Sequence, residues 1–173
     1  MQTESAAWLA LAYRSALPTA EALRIALGSG PDPSAFPPSV LEAEQRDHDA
    51  LVELGVRVLP IADPEYPKRL RAADGPLVLQ VAGRVSLLED EGVPVLRGYR
   101  GAAGQQLAEL LDSGGRAIVV LSKGLLKAKS LLRALHEPLA DGAIALVTAE
   151  PPRASWGPLR DRNRDALAAR LTR

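Results

Sequence analysis

The chain contains no cysteine, which excludes a disulfide framework, a thiolate metal site and a cysteine nucleophile. Only two histidines, His48 and His136, are present, too few for a histidine-rich metal site. Aromatic residues make up 3% of the chain against 47% hydrophobic overall, so a core must be built from Leu, Val, Ala and Ile. No apolar run approaches the ~18 residues a membrane-spanning helix needs. The start, "MQTESAAWLALAYRSALP", has no basic segment before its apolar stretch, so no secretory signal is expected and the location expected is the cytoplasm. A G-x-x-x-x-G-K-[ST] phosphate loop is absent, and so is a G-x-G-x-x-G dinucleotide fingerprint with its following acidic residue. No cofactor is expected.

What is present is a chain of 173 residues with zero formal net charge, unevenly spread. Residues 1–92 hold 8 basic and 14 acidic side chains; residues 93–173 hold 13 basic and 7 acidic. The basic half points to an anionic partner, unless the two halves simply attract each other. The last 21 residues contain six arginines and only two acids, and "RDRNR" at 160–164 concentrates them.

The pattern along the chain predicts a helical extension over 1–55 and an α/β domain over 56–173. Trp8, Leu9, Ala12 and Tyr13 form a helical stripe. Thr19 is placed to cap a second helix that stops at Gly28, and Ser39 a third that stops at Gly55. "VRVLPI" and "PLVLQVAG" read as strands, the second ending at Gly83. From residue 93 the order becomes strand, loop, helix, repeated: "VPVLR", "RAIVVLS" and "AIALVT" are short apolar strands separated by helical segments. That alternation predicts an α/β fold with a reduced Rossmann-like parallel sheet, the three strands being neighbours and 76–83 at or near an edge.

In such a sheet ligands sit at the carboxyl ends of the strands. Three loops fall there. "RGYRGAAG" spaces Gly98, Gly101 and Gly104 three apart, so its amides and Arg100 suit a phosphate; tight turning alone also explains the glycines. "SKGLLKAKS" carries Lys123, Lys127 and Lys129, with Arg133 beyond and no acid between; the plain alternative is a solvated face. The tail offers Arg160, Arg162, Asn163 and Arg164, whose guanidinium forks pair phosphate oxygens, unless Asp161 and Asp165 neutralise them locally. Tyr99 and Trp156 are the available stacking rings. No Ser/His/Asp set is placed by spacing, and Glu150 stands alone, so no catalytic residue and no enzymatic activity are expected.

Five stretches in this order resemble the DNA-processing protein A (DprA/Smf) family. They are "YPKRLRAADGPLVLQVAG" (66–83), "VPVLRGYR" (93–100), "GGRAIVVLSKGLL" (114–126), "GAIALVTAEPP" (142–152) and "LRDRNRDALAARL" (159–171). They are similar to the family's Y-P-x-x-L entry, its strand followed by G-x-R, its G-G-x-T-I-A-V-L-x-x-G-L stretch, its S-E-x-P strand and its R-N-R-I-I signature. The family's S-G-x-A-x-G-I-D segment has no counterpart between Arg100 and Gly114, and Asp165–Ala166 stand where the family has an apolar pair. The resemblance is therefore to a divergent, contracted member. It implies a non-enzymatic protein that binds single-stranded DNA and assists DNA uptake or recombination by passing strands to a RecA-type recombinase. Gly98, Arg100, Lys123, Arg162, Asn163 and Arg164 are the expected phosphate contacts. A homodimer is expected, because a missing βα unit uncovers apolar sheet surface. The alternative is an interaction module that pairs with itself, a full-length relative or a recombinase through an exposed sheet edge. A nucleotide-processing protein related to lysine-decarboxylase-like folds ranks last, since the P-G-G-x-G-T-x-x-E motif is missing.

Overall fold

Among the described residues, five short strands carry apolar runs of the sequence: β1 (Arg57–Pro60), β2 (Val78–Gly83), β3 (Val95–Arg97), β4 (Ala117–Val120) and β5 (Ile144–Thr148). The computed structural model describes residues 2–71, 75–97, 101–121, 135 and 137–152. The strands form one sheet in the order β1-β2-β5-β4-β3. β3, β4 and β5 are parallel neighbours, as the strand–helix alternation predicts. β2 lies antiparallel to β5 and β1 antiparallel to β2, so the sheet is mixed.

The central strands are apolar on both sides because both faces are covered. Every residue of β5 is buried. Successive side chains of β4 separate by parity, as the two-residue strand period requires: Ala117 and Val119 join one core cluster and Ile118 the other. The first cluster packs Leu96, Leu146 and Ile144 against Leu51, Leu54, Leu107 and Leu139. The second packs Leu79, Val81 and Val147 against Trp8, Leu9, Leu11 and Ala26. β3, at the rim, is exposed at Val95 and Arg97 and buried only at Leu96.

The helices α1 (Gln2–Tyr13), α2 (Thr19–Leu27), α3 (Pro38–Glu53) and α4 (Gly101–Asp112) cover the sheet and one another. α1 is buried well beyond the stripe read from its sequence. Residues 6–11 are all inside, while Ala12 and Tyr13 are only half-buried. A helix wedged between α3 and the sheet core needs apolar residues around most of its girth, and its alanines allow close approach. Burying a leucine such as Leu9 or Leu11 is worth roughly 1.5–3 kcal/mol. α1 therefore belongs to the same core as β2 and β5.

Two helix starts differ from the expected caps. Pro18 occupies the cap position of α2, so Thr19 is its first helical residue. α3 begins at Pro38, with Ser39 inside its first turn. At α3 the proline has its φ preset for the first helical position and no N–H to satisfy there, which explains the earlier start. The stops are as read: Gly28 closes α2, and Gly55, at φ 72°, follows α3 in the left-handed conformation that glycine tolerates best. α4 also starts early, at Gly101, so Gly104 lies within a helix and not in a glycine-rich turn.

The segment joining β1 to β2 is tied by Tyr66. Its ring is fully buried and its hydroxyl donates to the Pro76 carbonyl at 2.6 Å. The Arg57–Glu65 ion pair crosses the same segment at the surface, where such a pair contributes little.

Candidate functional site

The parallel strands end level with one another. Arg97 pairs with Val120 across β3 and β4, and Val120 pairs with Val147 across β4 and β5. With strands ~4.8 Å apart, the three ends fall within roughly 10 Å along one edge. Leu121, the last described residue after β4, is held there by its N–H to the Val147 carbonyl at 2.8 Å. From this edge the chain runs into residues 98–100, 122–134 and 153–173. Those segments hold one, four and six basic residues respectively, and only two acids, Asp161 and Asp165. All six residues predicted to contact phosphate fall within them. Gly98 and Arg100, Lys123, and Arg162, Asn163 and Arg164 therefore lie outside the described residues. The described part of this edge is the level ends of β3, β4 and β5. α4 adds its N-terminus directly after 98–100, so the positive end of a 12-residue helix begins at Gly101.

Because β2 runs against β5, its beginning lies beside the carboxyl end of β5. Gln80 faces Thr148 in the pairing register, and both are buried. The Gln80 amide nitrogen donates to the Tyr13 hydroxyl oxygen at 2.9 Å and to the Glu150 carbonyl at 2.7 Å. The Glu150 N–H in turn donates to Thr148 Oγ1 at 3.1 Å. One residue beyond Tyr13, Arg14 donates through Nε to the buried Glu44 carboxylate of α3 at 2.7 Å, and this bond raises the arginine's already high pKa. The end of α1, the start of β2 and the exit of β5 are thus joined through side-chain hydrogen bonds.

Sequence reading missed Tyr13, Gln80 and Thr148 as site residues. The available signal was Gln80, the one polar side chain in the run "PLVLQVAG". A buried amide in an apolar strand is costly unless bonded, so it marks a place where distant chain segments meet. Beside this cluster, a cleft of about 250 Å³ is lined by Tyr13, Ser15, Leu17, Thr19, Pro76 and Ala149, among others. Among the described residues no group of three His, Cys, Asp or Glu side chains is gathered to hold a metal ion.

Burial pushes the Tyr13 hydroxyl up to about 12. The Gln80 N–H pulls the other way, while Glu44 and Glu150 add to the rise. Burial likewise pushes Tyr66 up to about 12, against the opposing charge of Arg71. A phenol whose folded pKa exceeds its unfolded value of ~10 favours the fold while neutral. That stability is complete below pH ~10 and is lost as pH rises through about 12. An ultraviolet titration of tyrosinate should therefore show two of the three tyrosines ionising near pH 12, with the melting temperature falling over the same interval. Ionisation of all three near pH 10 would contradict the buried placement of Tyr13 and Tyr66.

The described residues define an α/β protein with a five-stranded mixed sheet, and in the sequence basic residues follow each of its three parallel strands. No family model matches the chain, and no curated protein or solved structure matches it. No helix among the described residues is long and apolar enough to cross a membrane.

Proposed function

We propose that this protein binds single-stranded DNA along the carboxyl edge of its sheet and assists DNA uptake or recombination, handing strands to a RecA-type recombinase without catalysing a reaction itself. One observation carries the reading. Three adjacent parallel strands end level, and in the sequence each is followed by basic residues: Arg100 after β3, Lys123, Lys127 and Lys129 after β4, and, beyond Glu150, Arg153 and the arginines of 160–164 after β5. Cations that follow neighbouring strand ends would together hold a polyanion, because each neutralised phosphate releases condensed counterions. Arg100, Lys123, Arg162 and Arg164 supply the charge, Gly98 allows close backbone approach, and Asn163 offers a neutral donor. The ordered resemblance to the DprA/Smf family points to the same ligand and to the same final R-N-R segment.

The test is the anisotropy of a labelled single-stranded oligonucleotide titrated with the protein at low and moderate salt. Binding should be measurable at low salt and weaken steeply, with a log–log slope of about −0.7 for each phosphate neutralised. Absence of binding at low salt would overturn the proposal. The reading favoured then is an interaction module, supported by the exposed rim of the sheet. Among the described residues β3 has β4 as its one strand neighbour, and Val95 there is 48% exposed. A second copy of the chain, a full-length relative or a recombinase would dock on that strand.

A further inference from the structure

The cleft of about 250 Å³ beside the exit of β5 is bounded by the end of α1, the start of α2, the entry to β2 and Ala149. Its rims are fixed by hydrogen bonds. On one side the Leu17 N–H donates to Ser15 Oγ at 3.1 Å, and on the other the Tyr66 hydroxyl donates to the Pro76 carbonyl at 2.6 Å. Leu11, Leu17, Leu77 and Val78 supply apolar wall, while Tyr13, Ser15 and Thr19 bring hydroxyl groups. Among the described residues no charged side chain and no histidine lines it. The Tyr13 oxygen receives a Gln80 N–H, and among the described residues nothing accepts the hydrogen of that hydroxyl. A donor already taken from water gains most from a ligand that offers an acceptor. Burial is the main cause of the raised Tyr13 pKa, and the charges of Glu44 and Glu150 add to it, so these surroundings disfavour an anion. Sites for drug-sized molecules measure roughly 300–1,000 Å³, so a cleft this small suits a single ring system.

We infer that this cleft binds a small, uncharged ring compound that accepts hydrogen bonds, a cyclic amide of the nucleobase kind. The apolar walls take the ring, and the hydroxyl groups take its carbonyl oxygens. The ring comes either as a free nucleobase or nucleoside, or as one base of a nucleic-acid strand. The inference does not rest on the DNA-binding reading, because no basic residue takes part in it.

The test titrates uracil into the full chain, followed by nuclear magnetic resonance. Orotate, the same ring carrying a carboxylate, is the charged counterpart. Uracil should bind saturably, with a Kd on the order of 1 mM or tighter. Orotate should bind at least roughly tenfold more weakly, since its charge would enter without a cation to meet it. Ala149 is exposed at the rim of the cleft, so Ala149→Leu adds bulk there without entering the core. That variant should weaken uracil roughly tenfold or more and melt like wild type. Tyr13→Phe removes the donor and should weaken uracil about two- to tenfold. Leu17→Ala, also at an exposed position, strips apolar wall and should act in the same direction. A strand of deoxyuridine separates the two sources. If Ala149→Leu weakens the strand as it weakens uracil, the ring belongs to nucleic acid. A strand that fails to bind, or binds the variant as well as wild type, assigns the cleft to the free compound. No saturable uracil binding, orotate binding as tightly as uracil, or wild-type affinity in both Ala149→Leu and Tyr13→Phe would overturn the inference. Each of these results leaves the salt-dependent binding of oligonucleotides a separate question.

Discussion

Replacing Gly83 by alanine is expected to lower the unfolding free energy by about 3 kcal/mol, and the melting temperature by roughly 6–12 °C. Two costs combine. Gly83 sits at φ 87°, a conformation that an L-residue with a β-carbon rarely adopts, and the backbone term alone is roughly 1–2 kcal/mol. The added methyl group would also stand 2.6 Å from the Ile144 carbonyl oxygen and 2.8 Å from Leu139 Cδ2. The leucine tip can turn away, but the Ile144 carbonyl belongs to β5 and cannot. That carbonyl also accepts the Arg84 N–H at 3.4 Å, which ties it to the end of β2. Overpacking of this kind adds about 1–3 kcal/mol. Circular dichroism melts of Gly83→Ala and of Gly101→Ala make the comparison. Gly101 has φ 57° but open space where a β-carbon would go, so its alanine variant should show the backbone term only. Equal melting of Gly83→Ala and wild type would mean that β2 does not leave the sheet as described.

Changing Arg162 and Arg164 together to alanine is expected to flatten the salt dependence of oligonucleotide binding by roughly one to two log–log units. The proposed role of these residues is charge neutralisation, and on a single strand each phosphate left without its cation removes about 0.7 of slope. Charge-assisted bonds are worth about 1.5–3 kcal/mol each, so losing two should lower affinity at low salt by about a hundredfold or more. Melting temperature is the control. A variant that binds weakly and melts like wild type assigns the arginines to DNA. A variant whose stability falls in step with its affinity would mean that they pack against the fold, and the R-x-R-N-R segment would then be a structural feature. Unchanged affinity and slope would remove the segment from the interface altogether.

The parts legible in the sequence were those set by neighbours along the chain. "AIVVL" and "AIALV" are short apolar runs bounded by turn residues, and such runs form buried strands whatever lies beside them. Gly55 and Gly83 end their elements at φ 72° and 87°, a left-handed conformation that suits glycine. The alternation after residue 93 implied parallel strands joined through helices, since a parallel connection needs a long crossover. The accumulation of positive charge after each of those strands was also legible, being a matter of composition and position.

Other features depended on which segments meet. The run "PLVLQVAG" specifies a strand but not its direction, because a strand buried on both faces suits a parallel or an antiparallel neighbour equally well. Only the assembled sheet set β2 against β5 in the antiparallel sense. That choice brings Gln80 beside Thr148 at the carboxyl edge. In a parallel register its side chain would have met different partners. The burial of α1 over residues 6–11 also follows from packing on both α3 and the sheet, which no periodicity within 12 residues could reveal. By itself, then, the sequence determined the strands, the glycine stops of α2, α3 and β2, and the positive charge after residue 93. The tertiary structure decided the strand order, the level ends of β3, β4 and β5, and the hydrogen bonds from Gln80 to Tyr13 and Glu150. Local propensity acts over a few residues, whereas these bonds join positions 67 and 70 residues apart, and only the closing of the whole sheet brings them within reach.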